Sequence, residues 1–198
     1  MKLILASTSV YRRELLSRLR IPFEVVSPEV DETPIFGETP SQAAARLAVA
    51  KSTAVASKHP DALVIGSDQT ATLDGRGIIG KPGSHERARA QLLDASGRTM
   101  VFHTGVALTR LSTGFKFERV VDTRVRFRQL SPEEVEAYLL AERPYDCAGS
   151  ARSEALGISL LQAMECEDPT ALVGLPLIAV CDAMRDAGLQ ILRPGSGS

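Results

Sequence analysis

Short apolar runs alternate along this chain with stretches whose apolar residues recur at helical spacing, which predicts a mixed α/β protein. Met1-Lys-Leu-Ile-Leu5 reads as a first strand. Ser9 can cap a helix running to about Leu19, with Leu15, Leu16 and Leu19 on one face. Phe23-Glu-Val-Val26 reads as a second strand. Residues 28–38 hold two prolines and the acids Glu29, Asp31 and Glu32, so they form a loop. Thr39-Pro40 starts a helix, with Thr39 as cap and Pro40 at the first position. Ala43, Leu47 and Ala50 mark its inner face, and Lys51 lies just beyond.

Ala62-Leu-Val-Ile65 is a buried strand ending in Gly66-Ser-Asp68. Asp74-Gly75 predicts a hairpin turn that leads to Gly80-Lys81-Pro82. Residues 84–95 read as a helix, and 99–110 and 116–128 as two long strands joined at Ser112-Thr-Gly114. Ser131-Pro-Glu-Glu134 is a capping box and opens another helix. Tyr145 to Ser150 forms a loop, residues 158–164 a further strand, and Gly174-Leu-Pro176 the start of a last helix that Gly188 ends. Residues 193–198 read as a mobile tail. The elements do not alternate strictly, so the sheet should be mixed.

Composition narrows the function. Of 198 residues, 44% are hydrophobic, enough for one medium domain or two small lobes. A net charge of −1 argues against a general binder of nucleic-acid polymers. No run approaches the ~18 apolar residues of a membrane span. Only three apolar residues separate Lys2 from Ala6-Ser-Thr, too few for a signal peptide. Cys147, Cys166 and Cys181 lack metal-ligand spacing and read as reduced thiols of a cytoplasmic protein, with Cys181 on a core helix face. No Walker loop or Gly-x-Gly-x-x-Gly follows a strand.

Two places carry candidate chemistry. Ser7, Ser9, Arg12 and Arg13 stand at a strand-to-helix junction, where N–H groups, a helix dipole and guanidinium forks can face one anion. Asp68 is delivered at the end of a strand, where ligand crevices form, although an Asp after a strand is more often a turn former. It reads as a general base or a metal ligand, and Glu32 is the second carboxylate. Lys51 and Lys81 can neutralise phosphate oxygens. His103 stands alone and reads as structural. A carboxylate site and a phosphate site together point to chemistry on a phosphorylated small molecule.

Taken together, these segments resemble the Maf family of nucleoside triphosphate pyrophosphatases. The matching motifs are Leu5-Ala-Ser-Thr-Ser-x-x-Arg-Arg13, Val30-Asp-Glu-Thr33, Ala48-x-x-Lys51, Gly66-Ser-Asp68, Gly80-Lys-Pro82, His103-Thr-Gly105, Ala148-Gly-Ser150 and Val173-Gly-Leu-Pro176. Ser-Asp-Gln at 67–69 and the segments 145–154 and 168–176 resemble the branch that hydrolyses 7-methyl-GTP, with Tyr11 in place of a tryptophan. The resemblance implies an elongated, two-lobed α/β fold with a mixed sheet and a central cleft, like that of the ITPases. It implies a single domain over residues 1–194 with a flexible tail at 195–198, and a homodimer. It implies hydrolysis of 7-methyl-GTP to 7-methyl-GMP and diphosphate with Mg²⁺ or Mn²⁺, clearing modified nucleotides. The rivals are a dTTP/UTP pyrophosphatase and a non-catalytic nucleotide-binding regulator of cell division. N7-methylation makes guanine cationic, so Tyr11 offers it an aromatic face worth roughly 0.5–2 kcal/mol. Glu154 can accept from the guanine N1–H and amino group, and Gln69 can offer both a donor and an acceptor.

Overall fold

The computed structural model describes residues 1–192, so the expected tail lies outside the described residues. In chain order the elements are β1 (Leu3–Ala6), α1 (Val10–Ser17), β2 (Glu24–Val26), α2 (Pro40–Lys58), β3 (Leu63–Thr72), α3 (His85–Ala95), β4 (Thr99–Arg110), β5 (Phe115–Phe127), α4 (Pro132–Glu142), β6 (Leu161–Cys166) and α5 (Leu177–Asp186). Six strands form one sheet in the order β2-β1-β3-β4-β5-β6. β2, β1 and β3 run parallel, and each pair from β3 onward is antiparallel. The sheet is therefore mixed, as the irregular alternation of elements predicts.

The caps act as the sequence indicates. Thr39 and Ser131 each form a reciprocal box, with Gln42 and Glu134. Ser9 accepts from the Arg12 N–H.

Of three hydrophobic cores among the described residues, a small one joins Ile4, Val55 and Val64 under α2, and the other two lie at opposite ends of the long strands. One gathers Leu5, Leu15, Ile65, Leu108, Leu175 and Val180 around β1, α1 and α5. The other gathers Leu92, Met100, Phe127, Val135 and Leu139 around α3, α4 and the start of β4. At about 3.4 Å per residue, the 12 residues of β4 are long enough to serve both cores. This is the two-lobed α/β shape, with a cleft between the lobes. No helix among the described residues is long and apolar enough to cross a membrane.

The largest departure from expectation is β3. The sequence predicts a strand that ends in the Gly66-Ser-Asp68 signal, yet it runs on to Thr72. Pairing with β4 continues from Val64–Thr109 to Thr72–Val101, and this ladder holds the chain extended past the Gly-Ser-Asp signal. β1 ends opposite Gly66, so the strand beyond that point has lost its neighbour on one side. Asp68 is thus a mid-strand residue beyond the end of β1, not a turn residue. The next strand also shifts, from 158–164 to Leu161–Cys166, because a 3₁₀ turn occupies Leu156–Leu160.

Helix α2 lies unusually close to the sheet. A Cβ on Gly66 would stand 2.3 Å from the Ala48 carbonyl oxygen, and one on Gly105 would stand 2.3 Å from that of Ala44. Only glycine on the strands, opposite alanine on the helix, permits this approach. The buried strip Ala44, Ala48, Lys51, Ser52 and Val55 is pressed onto β3 and β4 as a result. Replacing Gly105 by alanine should force α2 outward and destabilise the protein by about 1–3 kcal/mol, the usual cost of overpacking. Urea unfolding measures this, and an unchanged midpoint would show that α2 can move freely.

Candidate active site

A cleft of about 860 Å³ opens between the lobes where β1 ends. Ser7, Ser9, Tyr11, Arg12, Glu32, Lys51, Asp68, Gln69, Lys81 and Glu154 all line it. Ten of the eleven residues singled out in the sequence therefore converge. Arg13 is the exception: it is exposed and absent from the lining. Val10, Tyr11 and Arg12 take up the part of the first turn of α1 that faces the cleft, and the next step of about 100° carries Arg13 out to solvent.

At one end sits an ionic triad. Asp68, Gly66 and Thr70 point to the α2 side of β3, since side chains alternate along a strand. There Lys51 Nζ lies 2.6 Å from Asp68 Oδ1 and 2.7 Å from Glu32 Oε1. Lys51 is only 5% exposed, although it was expected beyond the buried face of its helix. Its ammonium serves the two carboxylates first, which leaves one of its three N–H donors for a phosphate. Donation from Lys51 holds the Glu32 carboxyl below its ordinary value of 4.5, against the opposing effect of burial.

Ser67 and Gln69 point the other way and anchor the segment before α5. Ser67 Oγ donates to the Gly105 and Gly174 carbonyls at 2.8 and 2.9 Å. The two N–H of Gln69 Nε2 are shared among Ala171 O, Leu172 O and Thr104 Oγ1, all at 2.9–3.0 Å. Its amide nitrogen is thereby committed to the fold, and Gln69 offers a ligand only its carbonyl oxygen. That corrects the expectation of a donor and an acceptor from this side chain.

Arg12 Nε donates to the same Gly174 oxygen at 2.8 Å. Burial lowers the Arg12 pKa from its ordinary 12.5, while the nearby Asp68 and Glu32 charges oppose the shift. Arginine stays charged in proteins, so the burial amounts to a standing demand for anionic company. Ser7 Oγ accepts from the Ser9 N–H at 3.1 Å, and the first turn of α1 opens on the cleft beside it. Lys81 is exposed on the opposite rim. It is brought there by the Asp74 turn and the Ala71–Ile79 bridge.

The other end holds Tyr11 with residues 146–154. Tyr11 Oη donates to Asp146 Oδ2 at 3.2 Å, and the Arg152 guanidinium carbon lies 5.2 Å from the centre of its ring. One face of Tyr11 is therefore already taken by a cation, where an open face for a methylated base was expected. Burial, with Cys147 and Asp146 adding to it, raises the Tyr11 pKa to about 12. Burial likewise raises the Cys147 thiol to about 12, which leaves it protonated and unreactive near neutral pH. Asp146, Cys147 and Arg152 line the cleft, and the sequence did not mark them as site residues. The only sign of them was their place within the 145–154 segment, because their roles depend on contact with Tyr11, some 135 residues away in the chain for Asp146.

His103 pairs with Asp122 across β4 and β5 at 2.7 Å, outside the cleft lining, as a structural histidine would. All three cysteines are free, as expected. Cys181 is half-buried at the flank of α5, whose core face is Leu177, Ala179, Val180, Ala183 and Met184, so its expected core position is not met.

Asp68 and Glu32 also decide whether a divalent ion suits this site. No group of three or more His, Cys, Asp or Glu able to hold a metal occurs among the described residues. Mg²⁺, however, is commonly held by one or two carboxylates plus substrate phosphates. Asp68 and Glu32, drawn together by Lys51, fit that donor set.

The lowered Glu32 pKa has a sign that can be tested. Its contribution to stability is complete above 4.5 and is lost as pH falls through the lower folded value. A Glu32→Gln variant should therefore show a flatter fall of Tm with acid below about pH 4.5 than the parent protein. Parallel curves would detach Glu32 from Lys51. Lys51→Met should cost more at neutral pH, about 3–5 kcal/mol in denaturant titrations, because it strands the buried Asp68 carboxylate.

Comparison with known proteins places the chain in a family. Residues 2–187 match the family model described as Maf-like protein. A 7-methyl-GTP pyrophosphatase of Albidiferax ferrireducens is 57% identical over 96% of both chains. Proteins of the same name from Thiobacillus denitrificans and Burkholderia thailandensis are 57% and 60% identical, each over 96% of this chain and over 94% and 89% of their own. Among solved structures, Ham1 proteins of Staphylococcus aureus and Coxiella burnetii align with TM-scores of 0.48 and 0.49 at 17% and 16% identity. They cover 65% and 66% of this chain and 73% and 74% of theirs, a partial likeness that bears on no residue of the cleft. With nearly its whole length matched by the family model and by relatives well over half identical, the chain belongs to the Maf family.

Proposed function

We propose that this protein hydrolyses 7-methyl-GTP to 7-methyl-GMP and diphosphate. The observation that carries the reading is the opposite charge of the two ends of one cleft. Arg12, Lys51 and Lys81 outnumber Asp68 and Glu32 at one end. At the other, Asp146 and Glu154 outnumber Arg152, whose Nη1 also donates at 2.8 Å to Glu142 outside the lining. A triphosphate fits the first end, and a base made cationic by N7-methylation fits the second. A neutral pyrimidine gains nothing from the surplus carboxylates. The names of the relatives point to the same substrate.

In this mechanism a water attacks the α phosphorus, and the bond to the α–β bridging oxygen breaks in line. Asp68 takes a proton from the water. Its Oδ1 is held by Lys51, so the carboxylate is fixed in place before substrate arrives. Arg12 and Lys81 neutralise the phosphate oxygens as negative charge builds on the departing diphosphate. Mg²⁺ or Mn²⁺, when bound at Asp68 and Glu32, would screen the phosphates and stabilise the leaving group. The reading extends to a cytoplasmic homodimer that removes modified nucleotides, and the free thiols support that compartment.

The deciding experiment measures steady-state rates for 7-methyl-GTP, GTP, UTP and dTTP with Mg²⁺ or Mn²⁺. The highest kcat/KM should belong to 7-methyl-GTP; a preference for dTTP or UTP, or binding without turnover, would falsify the reading. Asp68→Asn should lose about 10²–10⁴-fold in kcat, as removal of a positioned base does. Glu154→Gln should lower the 7-methyl-GTP to UTP ratio of kcat/KM by about tenfold or more, because one guanine donor then meets an amide donor.

A further inference from the structure

Arg152 is the one cation at the base end of the cleft among the described residues, and it is held as a fixed part. Its backbone N–H donates to Tyr138 Oη at 3.0 Å. Its guanidinium lies against the Tyr11 ring, and Nη1 donates to Glu142 Oε1 at 2.8 Å, the usual length of a charge-assisted bond. Its contact with Glu154 differs: Nε to Oε1 is 3.5 Å, long for such a bond, so little is lost when it opens. Both side chains line the cleft. Nη2 has no hydrogen-bond partner among the described residues, so donors remain for a ligand.

The pair therefore places a donor beside two carboxylate acceptors. Guanine's pairing edge carries the complement: the O6 acceptor, then the N1–H and 2-amino donors. Adenine carries a donor at position 6 and an acceptor at N1, so it opposes both partners. We propose that Arg152 is a specificity-determining residue that donates to guanine O6 while Glu154 accepts from N1–H and the 2-amino group. The assignment rests on the proposed function and adds to it. Charge surplus selects the methylated, cationic base, and the Arg152–Glu154 pair selects guanine among purines. Glu142 and Tyr11 act as positioning residues, holding the guanidinium in the plane from which it reaches O6. N7-methylation leaves O6 in place, so the contact serves 7-methyl-GTP and GTP alike.

The test compares kcat/KM for 7-methyl-GTP, GTP, ITP and ATP in the parent protein, Arg152→Met and Arg152→Lys. ITP keeps O6 and N1–H but lacks the 2-amino group. Arg152→Met should lower the GTP/ATP and ITP/ATP ratios together, by about tenfold or more, since the donor is gone while an unbranched stem still packs on Tyr11. The 7-methyl-GTP/GTP ratio should not fall, because a positive charge near the cationic base has been removed. Arg152→Lys keeps the charge without the planar fork, and its GTP/ATP ratio should lie between the other two. Each ratio is internal to one preparation, so loss of folded protein does not alter it. If the methionine variant does not fold, the lysine variant decides. Ratios unchanged from the parent, with all substrates slowed equally, make Arg152 a structural residue and overturn the assignment. Failure of the parent protein to hydrolyse 7-methyl-GTP would instead remove the functional reading, and the Arg152 assignment with it.

Discussion

The close approach of α2 to the sheet is the constraint on which the site depends. Backbone meets backbone at Gly66 and Gly105, where no Cβ fits. A lysine on the inner face of a helix would ordinarily be pushed out to water by its desolvation cost. Here the helix is near enough for Lys51 to reach Asp68 in the adjacent strand, and Glu32 closes the triad from the loop above. The buried ammonium is therefore paired on two sides. A wider gap between helix and sheet would separate the three charges, and each would have to find water instead.

The same strand organises the opposite face. Alternation along Ser67-Asp-Gln69 sends the acid toward α2 and the hydroxyl and amide toward the segment that precedes α5. Gly174 O collects donors from both Ser67 and Arg12, so the anion-facing arginine is tied to the strand that carries the carboxylate. Three consecutive residues thus fix the Asp68 carboxylate, the loop beneath it and the Arg12 guanidinium beside it. This rigidity suits a reaction whose catalysis is mostly positioning and charge stabilisation.

At the far end the arrangement rests on loops rather than on the sheet. Residues 146–154 gain their geometry from contacts with α1 and α4: Tyr11 with Asp146 and Arg152, Glu142 with Arg152, and Tyr138 with the Arg152 backbone. The Asp68 end of the cleft is thus built on β3 and α2, and the Tyr11 end on loop residues held by contacts with α1 and α4.

Local pattern in the sequence determined the caps at Ser9, Thr39 and Ser131, the mixed order of strands and helices, and ten residues of the cleft. These features are legible because each depends on neighbours a few positions away, or on motifs that keep their order along the chain. Tertiary structure alone decided the rest. β3 runs past its turn signal because β4 supplies a ladder that no local preference encodes. Arg13 turns away because Val10, Tyr11 and Arg12 already occupy the part of α1 that faces the cleft. Gln69 loses its donor to carbonyls about 100 residues distant, and Tyr11 loses one face to Arg152. Which groups remain free to meet a ligand depends on which have already been satisfied by partners far away in the chain, and that information exists only once the chain is folded.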